Sequence, residues 1–472
     1  MIKVLWILNK YVDGQNHSQF YPYFLADLEK ECLSKEIQLE FTYFSDAQKK
    51  CDRTQHHHFF FEHHRKITDF HREAARIENE YNFTLNHAYY SDIIQVTKTQ
   101  DTRRITVPEK ELNNHQLLVE KFVYLENLVK KNGYDVIFCD QSPEAEAEFG
   151  RVIALKNNLV FIRHGEGFLA NSLFSQQFEF GKERLSEAVL NTDVTLEQAK
   201  EFVRDFIKNK RPPYQYPETH KASALKFYSA RIAHFYRYPN FIKMALSQPW
   251  LWFEEKWLKR RLEKQFDPTA SYLFLGLQLP TESTIVLRSQ PYANQSLIIE
   301  AISRVLPDNT LLYVREHPKW RKHFPARFLG QIASLPNVRL ISPQIPAWEV
   351  IHHAKAVLTY NSTIGIEALM HGKPVLSFAP NVYINQHPAV TLCTNLYDLD
   401  HSLAKLVNTK VEIEDTYKYI YKMMRISSWV PLWASGFLSE DDAQKKAGVF
   451  SQHLLLAIKD CQNWQKNNGH LR

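Results

Sequence analysis

The chain has 472 residues and a net charge of +6, from 58 basic and 52 acidic side chains. That length exceeds one ordinary core and predicts two domains, while 44% hydrophobic and 23% charged residues exclude general disorder. The basic excess is too small to mark a nucleic-acid binder and suits an anionic substrate or surface.

The opening MIKVLWILNKYVDGQ reads as a buried strand over 2–8. It turns polar at Asn9 and lacks a small-residue cleavage site, so it does not read as a signal peptide. Helical spacing follows over 19–34, and the stretch 38–44 alternates like a strand. Residues 46–115 are polar and irregular, an insertion on the acceptor side or helices on the rim. A helix is expected over 115–130, a strand over 134–140 ending at Asp140, a helix over 144–158 and a strand with its loop over 159–167. This alternation predicts parallel βαβ units, whose ligands sit at the carboxyl ends of strands. Asp140, Gln141, Arg163, His164 and Glu166 all fall at such ends.

Residues 181–270 are rich in basic and aromatic residues, with prolines at 212, 213, 217, 239 and 249; they read as a helical connector. Its stretch FIKMALSQPWLWFEEKWLKRRLEKQF admits a lipid-surface reading, but Pro249 breaks the pattern and packing on the domain seam is preferred. Residues 271–400 resume the βαβ rhythm, and helices close the chain near 413–425 and 439–460. The expected architecture is therefore α/β: an N-terminal domain over 1–180, a connector over 181–270, a second α/β domain over 271–400, and helices over 401–472 packing back across the seam. Five widely spaced cysteines without a CxxC fit a reducing compartment, hence the cytoplasm. No run approaches the ~18 apolar residues that span a bilayer, which leaves a soluble or peripheral protein.

Three constellations could carry chemistry. Strand LLYVREHPKW ends in Arg315, Glu316, His317 and Pro318, so a cation and an imidazole project where a ligand would bind. Next, VLTYNSTIGIEALMHGKPVL reads strand, tight loop, short helix, strand. Its Asn361, Ser362 and Thr363 open a helix whose free amides and dipole would hold a phosphate. Gly365 would admit close approach of a ligand, and Glu367, on the Thr363 face, could accept ribose hydroxyls. His371-Gly372-Lys373-Pro374 reads as a helix stop. Third, the loop after Gln278 carries Glu282, Ser283, Thr284 and Arg288, a donor or acceptor lid or a plain polar connection. The histidines at 56–58, 63 and 64 have no carboxylate or cysteine at site-like spacing; they read as a solvated helix face, and no metal is assigned. The absence of GxSxG, GxGxxG and Walker motifs weighs against hydrolase, dehydrogenase and kinase readings.

The block QLPTESTIVLRSQPYANQSLIIEAISRVLPDNTLLYVREHPKW, with AKAVLTYNSTIGIEALMHGKPVLSFAP, resembles the bacterial capsule polysaccharide biosynthesis family, which includes Kdo transferases and related surface-glycan glycosyltransferases. The resemblance is close over 270–395 and fainter over 134–175, and it leaves out 46–115 and 181–270. It implies a GT-B fold of two facing Rossmann-type domains. It also implies a nucleotide-sugar donor, CMP-linked and carrying an acidic sugar such as Kdo, with a glycan or lipid-linked glycan as acceptor. His317, Ser362 and Thr363 would contact the donor phosphate, and Glu367 its ribose or base region. The family's QPE loop reads LPTE here, which leaves Glu282 as a displaced candidate. Asp140, Glu144 and Glu166 are the candidate acceptor bases. No metal or resident cofactor is expected, and contact with the inner membrane's cytoplasmic face or with capsule assembly proteins would fit. The alternatives are a polyol-phosphate polymerase of teichoic-acid type, a sugar-nucleotide epimerase and a non-catalytic assembly scaffold.

Overall fold

The computed structural model describes residues 1–8, 20–44, 53–63, 66–88, 115–140, 145–169, 172–178, 182–210, 266–278, 285, 294–316, 326–360, 362–380, 384–430 and 438–468. Two β-sheets organise them. The first has seven strands in the order β3-β2-β1-β4-β5-β6-β7: β1 (Ile2–Leu8), β2 (Ile37–Tyr43), β3 (His57–Phe59), β4 (Val136–Asp140), β5 (Val160–Glu166), β6 (Ser172–Gln177) and β7 (Glu183–Leu185). The first five are parallel. β6 and β7 run antiparallel. The short link from β5 to β6 has no room for a helical crossover, so only a hairpin return is open to it. β7, within the stretch expected to begin the connector, thus completes the first sheet.

Helices cover both faces of this sheet. On one lie α1 (Tyr21–Leu33) and α12 (Glu440–Asn468), packed on Val4, Trp6, Phe138 and Ile162. On the other lie α2 (Phe70–Tyr81), α3 (His115–Asn132) and α4 (Ala145–Lys156), packed on Leu5, Ile7, Ile137 and Phe161. Alternate residues of each strand feed opposite cores, as the pleat requires. α2 falls in the stretch read as an insertion or as rim helices; Asp69 caps it by accepting from the Arg72 amide, and Ile77 and Tyr81 dock it. β3 corrects the histidine reading. His57–Phe59 form an edge strand rather than a helix face. His56 Nδ1 pairs with Glu29 (2.6 Å) and His58 Nε2 with Glu40 (2.9 Å), carboxylates brought from α1 and β2.

The second sheet is wholly parallel, in the order β10-β9-β8-β11-β12-β13: β8 (Tyr272–Gly276), β9 (Leu311–Arg315), β10 (Val338–Ile341), β11 (Ala356–Thr359), β12 (Val375–Ser377) and β13 (Val390–Leu392). One face takes α6 (Gln295–Val305), α7 (Ala326–Ala333) and α10 (Leu399–Val407). The other takes α8 (Ala347–His353) and α9 (Ile364–Met370). These two parallel-sheet units meet the α/β expectation. A seam core joins them: Phe168, Leu169 and Leu173 from the first unit, Val203 and Phe206 of α5 (Leu196–Asn209), Ile366 and Met370 of α9, and Tyr419 and Met423 of α11 (Ile413–Ile426). Ser172 and Ser428 exchange backbone hydrogen bonds across it at 2.8 Å each way. Among the described residues no helix is long and apolar enough to cross a membrane.

Candidate functional site

The carboxyl edge of the second sheet gathers polar groups from three successive strands. β8 and β9 pair Gly276 with Arg315, so both strands end at one level. Beyond β8, Gln278 is held at its backbone by the Gln295 side chain, which accepts from the Gln278 amide (3.0 Å) and donates to its carbonyl (2.8 Å). That leaves Gln278 Oε1 enclosed without a hydrogen bond. Arg315 is buried; its Nη2 donates to the Pro343 carbonyl at 3.0 Å, and its Nε is enclosed and unbonded.

Glu367, on α9 after β11, faces this arginine. Burial pushes the Glu367 carboxyl up to about 7, with Arg315 opposing the rise. Burial lowers the Arg315 guanidinium to about 10, with Glu367 holding it up. The two are charge-coupled without a direct salt bridge. A cation and a carboxylate held close but unjoined, beside two unbonded polar atoms, form a setting that can take a polar ligand.

The turn between β11 and α9 differs from its expected form. The Ser362 amide donates to Thr359 Oγ1 (3.0 Å), the Ile364 amide to Ser362 Oγ (3.4 Å) and the Gly365 amide to the Ser362 carbonyl (3.1 Å). Thr363 occupies the N-cap position without a side-chain cap bond, and α9 has only seven residues. The amides expected to hold a phosphate are therefore largely satisfied within the turn. Gly365 likewise faces inward: a Cβ there would lie 3.3 Å from Ile384 Cδ1, 3.4 Å from Val375 Cγ1 and 3.5 Å from Thr359 Cγ2. Its missing side chain lets α9 settle on the sheet and does not admit a ligand. The expected helix stop is present, with Gly372 at φ +68° and the Lys373 amide bonded to the Ala368 carbonyl at 2.9 Å.

The carboxyl edge of the first sheet holds a second pair. Register sets Asp140 of β4 beside His164 of β5. Asp140 Oδ1 and His164 Nε2 are both enclosed without hydrogen bonds. Burial pushes the Asp140 carboxyl up to about 7 and the imidazole of His164 down to about 3, so the histidine is neutral. His164 lies among the rings of Phe174 (5.0 Å), Phe450 (5.2 Å) and Phe138 (6.0 Å). Tyr21, at the start of α1, is charge-coupled to Asp140, a partner that no local signal in the sequence announces. Arg163 is not ligand-facing: on the opposite side of β5 from His164, its Nη2 donates to Glu148 on α4 at 2.8 Å. Glu166 ends β5 opposite Ser172.

The structure thus brings Arg315 to Glu367, with Ser362 and Thr363 at the head of the same helix, and sets Asp140 and Glu166 at neighbouring strand ends. Phe168, two residues past Glu166, and Ile366, next to Glu367, line one small apolar cavity in the seam. Glu144, Glu282, His317, Pro318 and Asn361 lie outside the described residues.

Fold and site define a two-unit α/β protein with polar groups collected at the carboxyl edges of both sheets. The family described as "Capsule polysaccharide biosynthesis protein" matches residues 176–402 of the chain. The match takes in 181–270, which the sequence resemblance left out. Among curated relatives, the capsule polysaccharide export protein KpsS of Escherichia coli is 25% identical over 283 residues, covering 53% of this chain and 69% of KpsS. Protein FixF of Sinorhizobium fredii is 26% identical over 129 residues, covering 26% of this chain and 31% of FixF. The chain therefore spans under a third of FixF and about two thirds of KpsS. Among solved structures, KpsC of Thermosulfurimonas dismutans, a beta Kdo 2,7 transferase, matches at 14% identity and a TM-score of 0.37, covering 72% of this chain and 94% of that one.

Proposed function

We propose that the chain is a glycosyltransferase of capsule or other bacterial surface polysaccharide synthesis, using a CMP-linked acidic sugar such as Kdo as donor and a glycan or lipid-linked glycan as acceptor. The observation that carries this reading is the coupled, unjoined pair of Arg315 and Glu367 at the strand ends of the second unit. Arg315, with His317 two residues on, supplies positive charge for the leaving phosphate, a role that needs no metal. Glu367, once ionised, accepts ribose hydroxyls. Ser362 contributes its hydroxyl at the head of α9. Asp140, with a carboxyl near 7, is suited to take the acceptor proton. Glu166 at the next strand end, with Glu144 and Glu282, completes the set of carboxylates to compare with it. The match of residues 176–402 to the capsule polysaccharide biosynthesis family model supports the substrate class. The protein would work in the cytoplasm, peripheral to the inner membrane where its acceptor is assembled.

The test is nucleotide-dependent thermal stabilisation, followed by transfer read out by mass spectrometry. CMP at ~100 times its Kd should stabilise the chain by about 2.7 kcal/mol, and UDP and CDP-glycerol by less. Glu367→Gln and His317→Ala should abolish most of that gain and cut transfer by about a hundredfold with the fold intact, since both act on the bound donor. Because the carboxyl of Glu367 titrates near 7 and must be charged to accept hydroxyls, CMP binding should tighten as pH rises through that value. EDTA should leave transfer unchanged. Absence of a shift with any nucleotide would sink the transferase reading in favour of an assembly scaffold. An isomer formed from the CMP-sugar alone would point to an epimerase, and preferred binding of CDP-glycerol to a polyol-phosphate enzyme.

A further inference from the structure

At the opposite edge of the second sheet, where β11 and β12 begin, three elements bring basic side chains together. Lys210 caps the C-terminus of α5 and lies 4.2 Å over the ring of Trp348. His352 and His353 end α8, with ring centres 4.9 Å apart. His371, at the C-terminus of α9, is 6.1 Å from His352 and 5.8 Å from Phe206. Lys373 follows across the Gly372 turn. His371 Nε2 is enclosed and has no hydrogen-bond partner.

We propose that Lys210, His352, His371 and Lys373, with His353 at the rim, form a second anion site that takes a phosphate group, separate from the edge that holds Arg315 and Glu367. Among the described residues the groups acting on His352 are His353, Lys373 and Lys210, and those acting on His371 are His352 and Lys373; no carboxylate opposes them. Glu349, the acid of α8, acts on the Tyr272 hydroxyl instead. Burial, the larger cause, and these like charges hold His371 down to about 4, hold His352 below its ordinary value, and burial alone lowers the Lys373 amine. His371 and Lys373 are partly buried while Lys210, His352 and His353 are exposed, and partly buried donors among like charges are unfavourable until an anion joins them. Neighbouring ammonium and imidazole donors suit a compact tetrahedral dianion better than a carboxylate, which offers only two oxygens. In the free protein His371 is neutral, so anion binding must raise its affinity for protons and draw protons in. The site rests on no part of the transferase reading.

The test is titration calorimetry with inorganic phosphate, in two buffers of different ionisation enthalpy. Expected are saturable binding with net proton uptake near pH 8, where phosphate already carries its second charge, and an affinity about five-fold tighter near pH 6, where imidazoles are easier to protonate. Lys373→Met should weaken binding about five-fold, and His352→Gln, an exposed change that leaves the fold alone, should remove part of the proton uptake. Vesicles of phosphatidylcholine with phosphatidic acid, against phosphatidylcholine alone, distinguish the source. Lys373-dependent vesicle binding displaced by phosphate identifies a lipid headgroup, and phosphate binding without vesicle binding identifies a soluble phosphate. The proposal fails if phosphate does not bind saturably, if binding carries no proton uptake, or if both variants bind as the unaltered chain does.

Discussion

Glu148 and Arg163 lie on different elements and meet beneath the first sheet. Glu148 accepts from Arg163 at 2.8 Å and from Arg151 at 2.8 Å, all three side chains buried. Burial pushes the Glu148 carboxyl up, but the two guanidiniums outweigh it and hold the group below the ordinary carboxylate range. A depressed folded value means stability that is present above the unfolded carboxyl's range and is lost as pH falls through the folded one, so the loss belongs below about pH 4.5. Glu148→Gln leaves two buried guanidiniums without their counter-ion and should cost about 3–5 kcal/mol at neutral pH, seen in the denaturant midpoint, with a shallower acid limb. A midpoint unchanged by the substitution would show that the network is not structural. The sequence marked Arg163 as a residue at a strand end but not its direction; the alternation of β5 sends Arg163 into the helix layer and its neighbour His164 toward Phe450.

One helix–sheet contact depends on a glycine in the interface. A Cβ at Gly150 on α4 would come within 2.4 Å of Ile7 Cδ1 and 3.3 Å of Ile137 Cγ2. The helix thus approaches β1 and β4 more closely than any side chain allows. Gly150→Ala should cost about 1–3 kcal/mol, through displacement of Ile7 or of the helix itself, and the melting temperature reads this out. A neutral result would mean that Ile7 swings aside freely. Element existence was legible wherever period and punctuation agreed: α3, α4 and α11 lie close to their expected spans, and β9 ends at Arg315 as expected. β3 was not legible, and α2 only as one of two readings of its stretch. Their sequence is polar because each packs only one narrow face, and their partners, Glu29, Glu40 and Glu126, come from distant elements. The turn before α9 shows the converse. Its residue types announce a capped helix, yet Thr359 Oγ1 from the preceding strand takes the Ser362 amide, which no propensity records.

Across the whole molecule the C-terminal helix is the long-range fastener. Phe450 of α12 reaches the N-terminal sheet and lies 6.1 Å from Trp6, 5.8 Å from Phe24, 5.5 Å from Phe174 and 5.2 Å from His164. Phe450→Ala should therefore destabilise the first unit by about 3–5 kcal/mol although the substitution lies near the other end of the chain. Hydrogen exchange that speeds up in β1 and β4 but not in β8 and β11 is the expected pattern, and equal loss in both sheets would show that the units unfold together. The sequence by itself determined the α/β class, the alternation of strands and helices in both halves, and which strand ends carry Asp140, Arg315 and Glu367. Those features are local, set by apolar period, glycine and proline stops, and residue order. Only the tertiary structure decided that Arg315 couples to Glu367, that Gly365 faces the core, that Arg163 is tied to Glu148, and that α12 closes the first sheet. Each of these depends on which face a side chain takes and which distant element covers it, and burial then sets the charge state that the chemistry uses.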